Sequence, residues 1–150
     1  MKTICLYFEI HQNIQLKRYR FFDIGTDHYY YDDYENERMM TEIAEKSYMP
    51  ALNTLLEMIH SSDKYFKVTF SVSGVAMEQM EIHAPQVLEK LQELNETGCV
   101  EFLAEPYSHG LASLANEESF AEEVKRQCQK MHEYFGQYPK VLRNSSLIYS

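Results

Sequence analysis

Residues 98–111 read GCVEFLAEPYSHGL. A glycine is followed by a short apolar run, 100–104 (VEFLA), and then by a proline and three polar side chains, Glu105, Tyr107 and His109. Gly98 punctuates the chain, and the Val, Phe and Leu content of the run predicts a short buried strand. Upstream, 85–95 brings Val87, Leu88, Leu91 and Leu94 onto one helical face, with Pro85 suited to the first turn. Downstream, Glu117–Phe135 carries Phe120, Val124, Cys128, Met131 and Phe135 at helical spacing, with acids in its first turn and Gly136 as its stop. Helix, strand and helix therefore follow one another without a gap.

The same alternation extends in both directions. Residues 3–10 (TICLYFEI) and 66–72 (FKVTFSV) predict two earlier strands, and 140–143 (KVLR), after Pro139, predicts a fourth. Between the first two, 41–61 places Ile43, Tyr48, Leu52, Leu55, Leu56 and Ile59 close to a 3.6-residue period. Strands alternating with helices mean βαβ units and a parallel sheet. The expected fold is α/β, one domain over 1–150. Neither GxGxxG nor GxxxxGK[ST] occurs, so a nucleotide-binding sheet has no support. One stretch breaks the pattern. Residues 15–38 are long, rich in Tyr and Asp, and predict a surface excursion of a length that often carries function.

Composition bounds the function. Apolar residues make up 45% of the 150 and charged residues 25%, which is globular rather than disordered. The net charge of −9 argues against general nucleic-acid binding, which needs a basic face. No apolar run approaches the ~18 residues of a membrane span, and the run 3–8 is too short for a secretory leader. Cys5, Cys99 and Cys128 are widely spaced and form no CxxC, which predicts reduced thiols and a cytoplasmic protein. Twelve Tyr and eight Phe with no Trp leave polar-tipped aromatic rings for sugars or protein partners.

In parallel α/β folds the chemistry lies beyond the carboxyl ends of the strands. His11 and Gln12 follow the first predicted strand. Ser71, Ser73 and Gly74 follow the second, Glu105, Tyr107 and His109 the third, and Asn144, Ser145 and Ser146 the fourth. These groups should converge on one face as a polar pocket. A carboxylate just beyond a buried strand can accept hydroxyl protons or act in acid–base work, and it can equally be a capping group. His11, Glu105 and His109 can also be drawn as metal ligands, although their spacing matches no zinc signature. No G-x-S-x-G elbow supports a serine nucleophile.

Taken together, FEIHQ at 8–12, LKRYRFFD at 16–23, GCVEFLAEPYSHGL at 98–111 and LRNSSLIY at 142–149 resemble glycoside hydrolase family 57, in its α-amylase-like branch. The likeness runs through essentially the whole chain, in order. It implies the amino-terminal part of an incomplete (β/α)7 barrel, about half of it in four strands, acting on α-1,4-glucans with retention and without a cofactor. Retention needs a carboxylate nucleophile and a carboxylic acid about 5–5.5 Å apart. The resemblance puts the nucleophile in a motif like RNTELIY. Arg143, Asn144, Leu147, Ile148 and Tyr149 match it, but Ser146 occupies the nucleophile's position, and Asn13 stands where the first motif usually has Pro. The acid would come from a later strand. By resemblance, His11, Gln12, Glu105, Tyr107, His109 and Asn144 line a sugar site, with no metal, for an α-glucan oligosaccharide or polysaccharide. The chain is expected to be inactive alone, as a piece of a longer protein, a truncated product or a half-barrel that self-associates through an open sheet edge. A noncatalytic glucan-binding or regulatory module, and a metal-dependent barrel hydrolase, are the alternatives.

Overall fold

The computed structural model describes residues 4–148. Three strands, β1 (Tyr7–Ile10), β2 (Val68–Val72) and β3 (Val100–Leu103), form one parallel sheet in the order β1-β2-β3. Thr3 of the first expected strand and Tyr149 of the last motif lie outside the described residues.

The register explains the sheet's two faces. Phe8, Phe70 and Phe102 are direct partners across the three strands, and their rings follow one another at 5.6 and 6.2 Å. Phe102 stacks on Phe135 at 4.4 Å, which ties this face to the helix Glu117–Phe135. Phe70 and Phe102 are both 1% exposed, and burying each contributes roughly 1.5–3 kcal/mol. Residues one place along point to the opposite face. There Glu9, Ser71 and Leu103 are partners, and the Tyr7 hydroxyl meets the Ser71 hydroxyl at 2.5 Å. One face is the helix-packed core; the other carries the polar groups.

Six helices accompany the sheet among the described residues. They are α1 (Asp33–Ile43), α2 (Met49–Ser61), α3 (Gly74–His83), α4 (Pro85–Glu96), α5 (Ala112–Ala115) and α6 (Glu117–Phe135). The first begins eight residues before the expected start at 41. Its N-cap is Asp32, whose side chain accepts from the Glu35 N–H, and Arg38 pairs with Glu35 and Glu42 along an exposed flank. A π-helical turn, Ala44–Tyr48, joins α1 to α2. Pro50 lies just beyond it and has no N–H to offer the preceding turn, so a widened turn is where the helix absorbs it.

The expected fourth strand is reduced to a single parallel bridge, Ala104 to Leu142. The Ala104 N–H donates to the Val141 carbonyl and the Arg143 N–H donates to the Ala104 carbonyl, both at 2.8 Å. The next donor in that register is residue 106, a proline without an N–H, so the ladder stops there. Leu142, in the middle of the stretch expected to be the fourth strand, is 41% exposed.

Candidate functional site

Beyond the carboxyl ends of the strands, His11, Ser73, Glu105 and His109 come together. His11 leaves β1 and faces the Ser73 hydroxyl through Nδ1 at 2.8 Å. Ser73 is also the N-cap of α3, accepting from the Ala76 N–H, so the imidazole is fixed to the start of a helix. Glu105 lies two residues past β3 and is fully buried. The chain then turns at Pro106, with the His109 N–H donating to the Pro106 carbonyl and His109 itself at φ 53°. That left-handed residue accompanies a ring folded back so that Nδ1 lies 3.1 Å from Glu105 Oε2. The same ring stacks on His11 with centroids 4.4 Å apart.

Two further residues complete the cluster. Glu9 Oε1 lies 3.3 Å from His109 Nε2 and 2.7 Å from Arg143 Nη1. The row is therefore Glu105, His109, Glu9, Arg143, running from a buried carboxyl to a surface guanidinium. Burial, followed by the charge of Glu9, pushes the Glu105 carboxyl up to about 8, against a smaller opposing pull from Arg143. Burial, with His11 nearby, holds the His109 imidazole below its ordinary value. These two shifts fit one proton arrangement. A protonated Glu105 donates to Nδ1 of a neutral His109, whose single N–H is then on Nε2, facing Glu9. Glu105 Oε1 has no hydrogen-bond partner among the described residues. That oxygen is out of solvent contact, so a hydroxyl reaches it only when the side chains covering it move.

The other expected site residues are held by contacts of their own. The Gln12 carbonyl accepts from Gln79 Nε2 at 2.7 Å, which ties its backbone to α3. Tyr107 is 2% exposed, with its hydroxyl bonded to Glu78 and the Arg126 guanidinium over its ring at 3.7 Å. Its ring lies so close to Gly74 that a Cβ there would come within 2.1 Å of it. Tyr107 is thus packed into the scaffold. Asn144 is buried: Nδ2 donates to Ser113 Oγ at 2.8 Å, and Oδ1 accepts from the Ser145 N–H. Ser146 is exposed, in a 3₁₀ turn (Ser145–Leu147) with φ 53°. Sequence reasoning passed over Glu9 and Arg143. The available signal was an acid inside an otherwise apolar strand.

The carboxylate and imidazole donors of Glu9, Glu105 and His109 all lie within 4.8 Å of one another and could hold a cation. Arg143 already occupies the outer side of Glu9 and would have to give way. The metal set drawn from the sequence is not assembled as drawn, because the His11 nitrogens face Ser73 and Asn13 at 2.8 Å each.

Comparison with known proteins agrees with this arrangement at the level of family and fold. The family model described as Glycosyl hydrolase family 57 matches residues 5–150. A protein of Methanocaldococcus jannaschii described as "Putative alpha-amylase" is 38% identical over 122 residues, covering 81% of this chain and 26% of its own length. Among solved structures, 4-alpha-glucanotransferase from Thermococcus litoralis aligns with a TM-score of 0.72 at 16% identity, over 97% of this chain and 19% of that one. A branching enzyme of the same family from Thermococcus kodakaraensis aligns with a TM-score of 0.61 at 16% identity, over 94% of this chain and 32% of that one. At such identities the structural likeness speaks for the fold. The chain spans about a quarter of the length of the curated relative. The chain belongs to glycosyl hydrolase family 57.

Proposed function

Taking membership of glycosyl hydrolase family 57 as the premise, we propose that this chain is the amino-terminal portion of an α-glucan-active barrel. His11, Glu105 and His109 contact a glucose unit, and Ser146 stands where the retaining nucleophile would be. The observation that carries this reading is the buried Glu105 carboxyl, held by His109, which in turn stacks on His11 at the strand ends. The proton of that carboxyl is already given to His109 Nδ1, so what the carboxyl offers a sugar hydroxyl is the acceptor Oε1, once the side chains over it move aside. It also keeps a net negative charge out of the pocket until the site is filled.

By itself the 150-residue chain does not cleave glucans. A serine hydroxyl is a weak nucleophile without an adjacent base, and it brings no negative charge to an oxocarbenium-like transition state. No base is hydrogen-bonded to the Ser146 hydroxyl among the described residues, and the side chain is exposed. The chain therefore binds without turning over, which is also how a noncatalytic glucan-binding module would behave. Calorimetric titration with maltotriose tests this. Binding is expected in the parent and weakened about tenfold or more in His11→Ala or Glu105→Ala, the scale of one lost hydrogen bond to a charged or buried partner. A reducing-sugar assay should stay at background. Turnover that vanishes in His11→Ala would overturn the inactive reading, and equal affinity in parent and variants would overturn the site.

A further inference from the structure

The Tyr- and Asp-rich excursion has no role in the strand-end cluster, yet it is well held. Gln15 and Leu16 pair back onto Tyr31 and Asp32: Leu16 and Tyr31 form an antiparallel bridge, and the Asp32 N–H donates to the Gln15 carbonyl at 3.0 Å. The buried Asn36 of α1 clamps the same point, with Oδ1 accepting from the Gln15 N–H at 2.7 Å and Nδ2 donating to the Gln15 carbonyl at 3.2 Å. Between this ribbon and helices α1 and α3 lies a cavity of about 240 Å³. It is smaller than the roughly 300–1,000 Å³ pockets that take drug-sized ligands, and so suits one ring rather than a chain.

Its lining combines three chemistries. Tyr29 and Tyr31, half exposed and edge-to-face at 5.7 Å, supply apolar wall together with Ile82. Asp33 and Glu78 supply carboxylate oxygens, and both are already engaged. Asp33 accepts from the Tyr29 hydroxyl at 2.7 Å, and Glu78 is met by the Tyr107 hydroxyl and by Arg126. Gln79 is the third. It is 5% exposed, its Nε2 is spent on the Gln12 carbonyl, and its Oε1 has no hydrogen-bond partner among the described residues. That oxygen is out of solvent contact, so Gln79 braces the wall through Gln12 and leaves the hydrogen bonding within the cavity to the two carboxylates. An aromatic face beside hydrogen-bonding oxygens is the surface that a pyranose ring fits, apolar C–H face on the ring and hydroxyls on the acceptors.

We propose that this cavity is a second, noncatalytic sugar site that takes one glucose unit of an α-glucan, with Tyr31 as its platform and the Asp33 and Glu78 carboxylates as its acceptors. The choice of glucose rests on the α-glucan reading above; the site itself rests on the cavity. It is separate from the Glu105 cluster, since none of Glu9, His11, Glu105 or His109 lines it. A glucan held there is tethered beside the cleft, which raises its local concentration.

The test is an NMR titration of the ¹⁵N-labelled chain with maltose, read at the Gln79 side-chain amide and the Tyr29, Tyr31 and His83 amides. Saturable shifts at these positions are expected. Tyr31→Ala should weaken them about fivefold or more, the scale of one lost aromatic contact, and Tyr31→Phe should retain them. His11→Ala should leave them unchanged. Shifts confined to the strand-end cluster would overturn the second site and leave the proposed function standing. Shifts at neither place would overturn both. Saturation of the cavity by putrescine but not by maltose would overturn the ligand class in favour of an amine drawn to Asp33 and Glu78.

Discussion

Two segments carry the family's motif residues at the strand ends, and they are built differently. Residues 100–109 leave β3 with Glu105 fully buried and His109 bonded to it. Residues 142–148 join the sheet through one bridge, and Ser146 is exposed with a left-handed backbone. The first segment has its geometry imposed by a paired strand and a helix behind it. The second is held by the Asn144 side chain and by a single ladder contact, since Pro106 withholds the next donor. A site residue is positioned as well as the element beneath it. Here Glu105 is fixed, and position 146, the proposed place of the nucleophile, is held by far less.

The largest effect that would sharpen this contrast is chemical. Ser146→Glu in the 150-residue chain should give no maltooligosaccharide cleavage, because retention needs two carboxyl groups and the Glu105 proton is committed to His109. In a chain extended through further barrel strands of the family, the same substitution should raise activity by several orders of magnitude, roughly the cost of deleting a catalytic residue. Cleavage by the short variant would make Glu105 or a neighbour the acid. No gain in the extended one would move the nucleophile away from 146.

A smaller effect tests whether Glu105 holds a proton. Its folded-state carboxyl is raised from 4.5 to about 8, mainly by burial. Between those values the unfolded chain has released the proton and the folded chain has kept it, so stability falls as pH rises through this window. Above about 8 both states are ionised and the full cost remains, on the order of a few kcal/mol. Glu105→Gln keeps a donor for His109 Nδ1 and removes the ionisation. Urea midpoints for parent and variant should therefore lie close together at pH 5 and diverge toward pH 9, with the variant the more stable. The depressed His109 imidazole acts in the acid range in both proteins and cancels in the comparison. Parallel pH profiles would mean that Glu105 is ionised throughout.

How much of this was legible beforehand follows the same division. Strands 66–72 and 100–104 and the helices at 85–95 and Glu117–Phe135 were readable because each buries one face, so the period shows in the sequence. Helix α3 was missed because Gly74, Ala76, Met77, Gln79 and Met80 are all buried, which blurs any single apolar face. The early start of α1 was hidden because DYENER has little to bury and is held by its cap and ion pairs. The meeting of His11 with Glu105 and His109 followed from strand-end logic. The inward packing of Tyr107 did not, since it depends on the missing side chain of Gly74 thirty-three residues earlier. Glu9 and Arg143 pair across most of the chain, and no local pattern announces such a contact.

The smallest expected effect concerns the backbone at 146 itself. Ser146 has φ 53° and ψ 19°, and Leu147 follows at φ 55°. A non-glycine residue in the left-handed region costs about 1 kcal/mol or more, a strain that glycine escapes. Glycine also enlarges the entropy of the unfolded chain, which offsets part of the gain by about 0.4–1 kcal/mol. Ser146→Gly should therefore change stability by less than about 1 kcal/mol, toward stabilisation, and by no more than a few degrees in Tm. Asn144→Ala should cost more, since it removes the side chain that caps the turn and reaches Ser113. If Ser146→Gly is instead clearly destabilising, position 146 is extended rather than left-handed in solution. A carboxylate placed there would then point differently from the present serine, and the Ser146→Glu comparison would have to be read with that backbone.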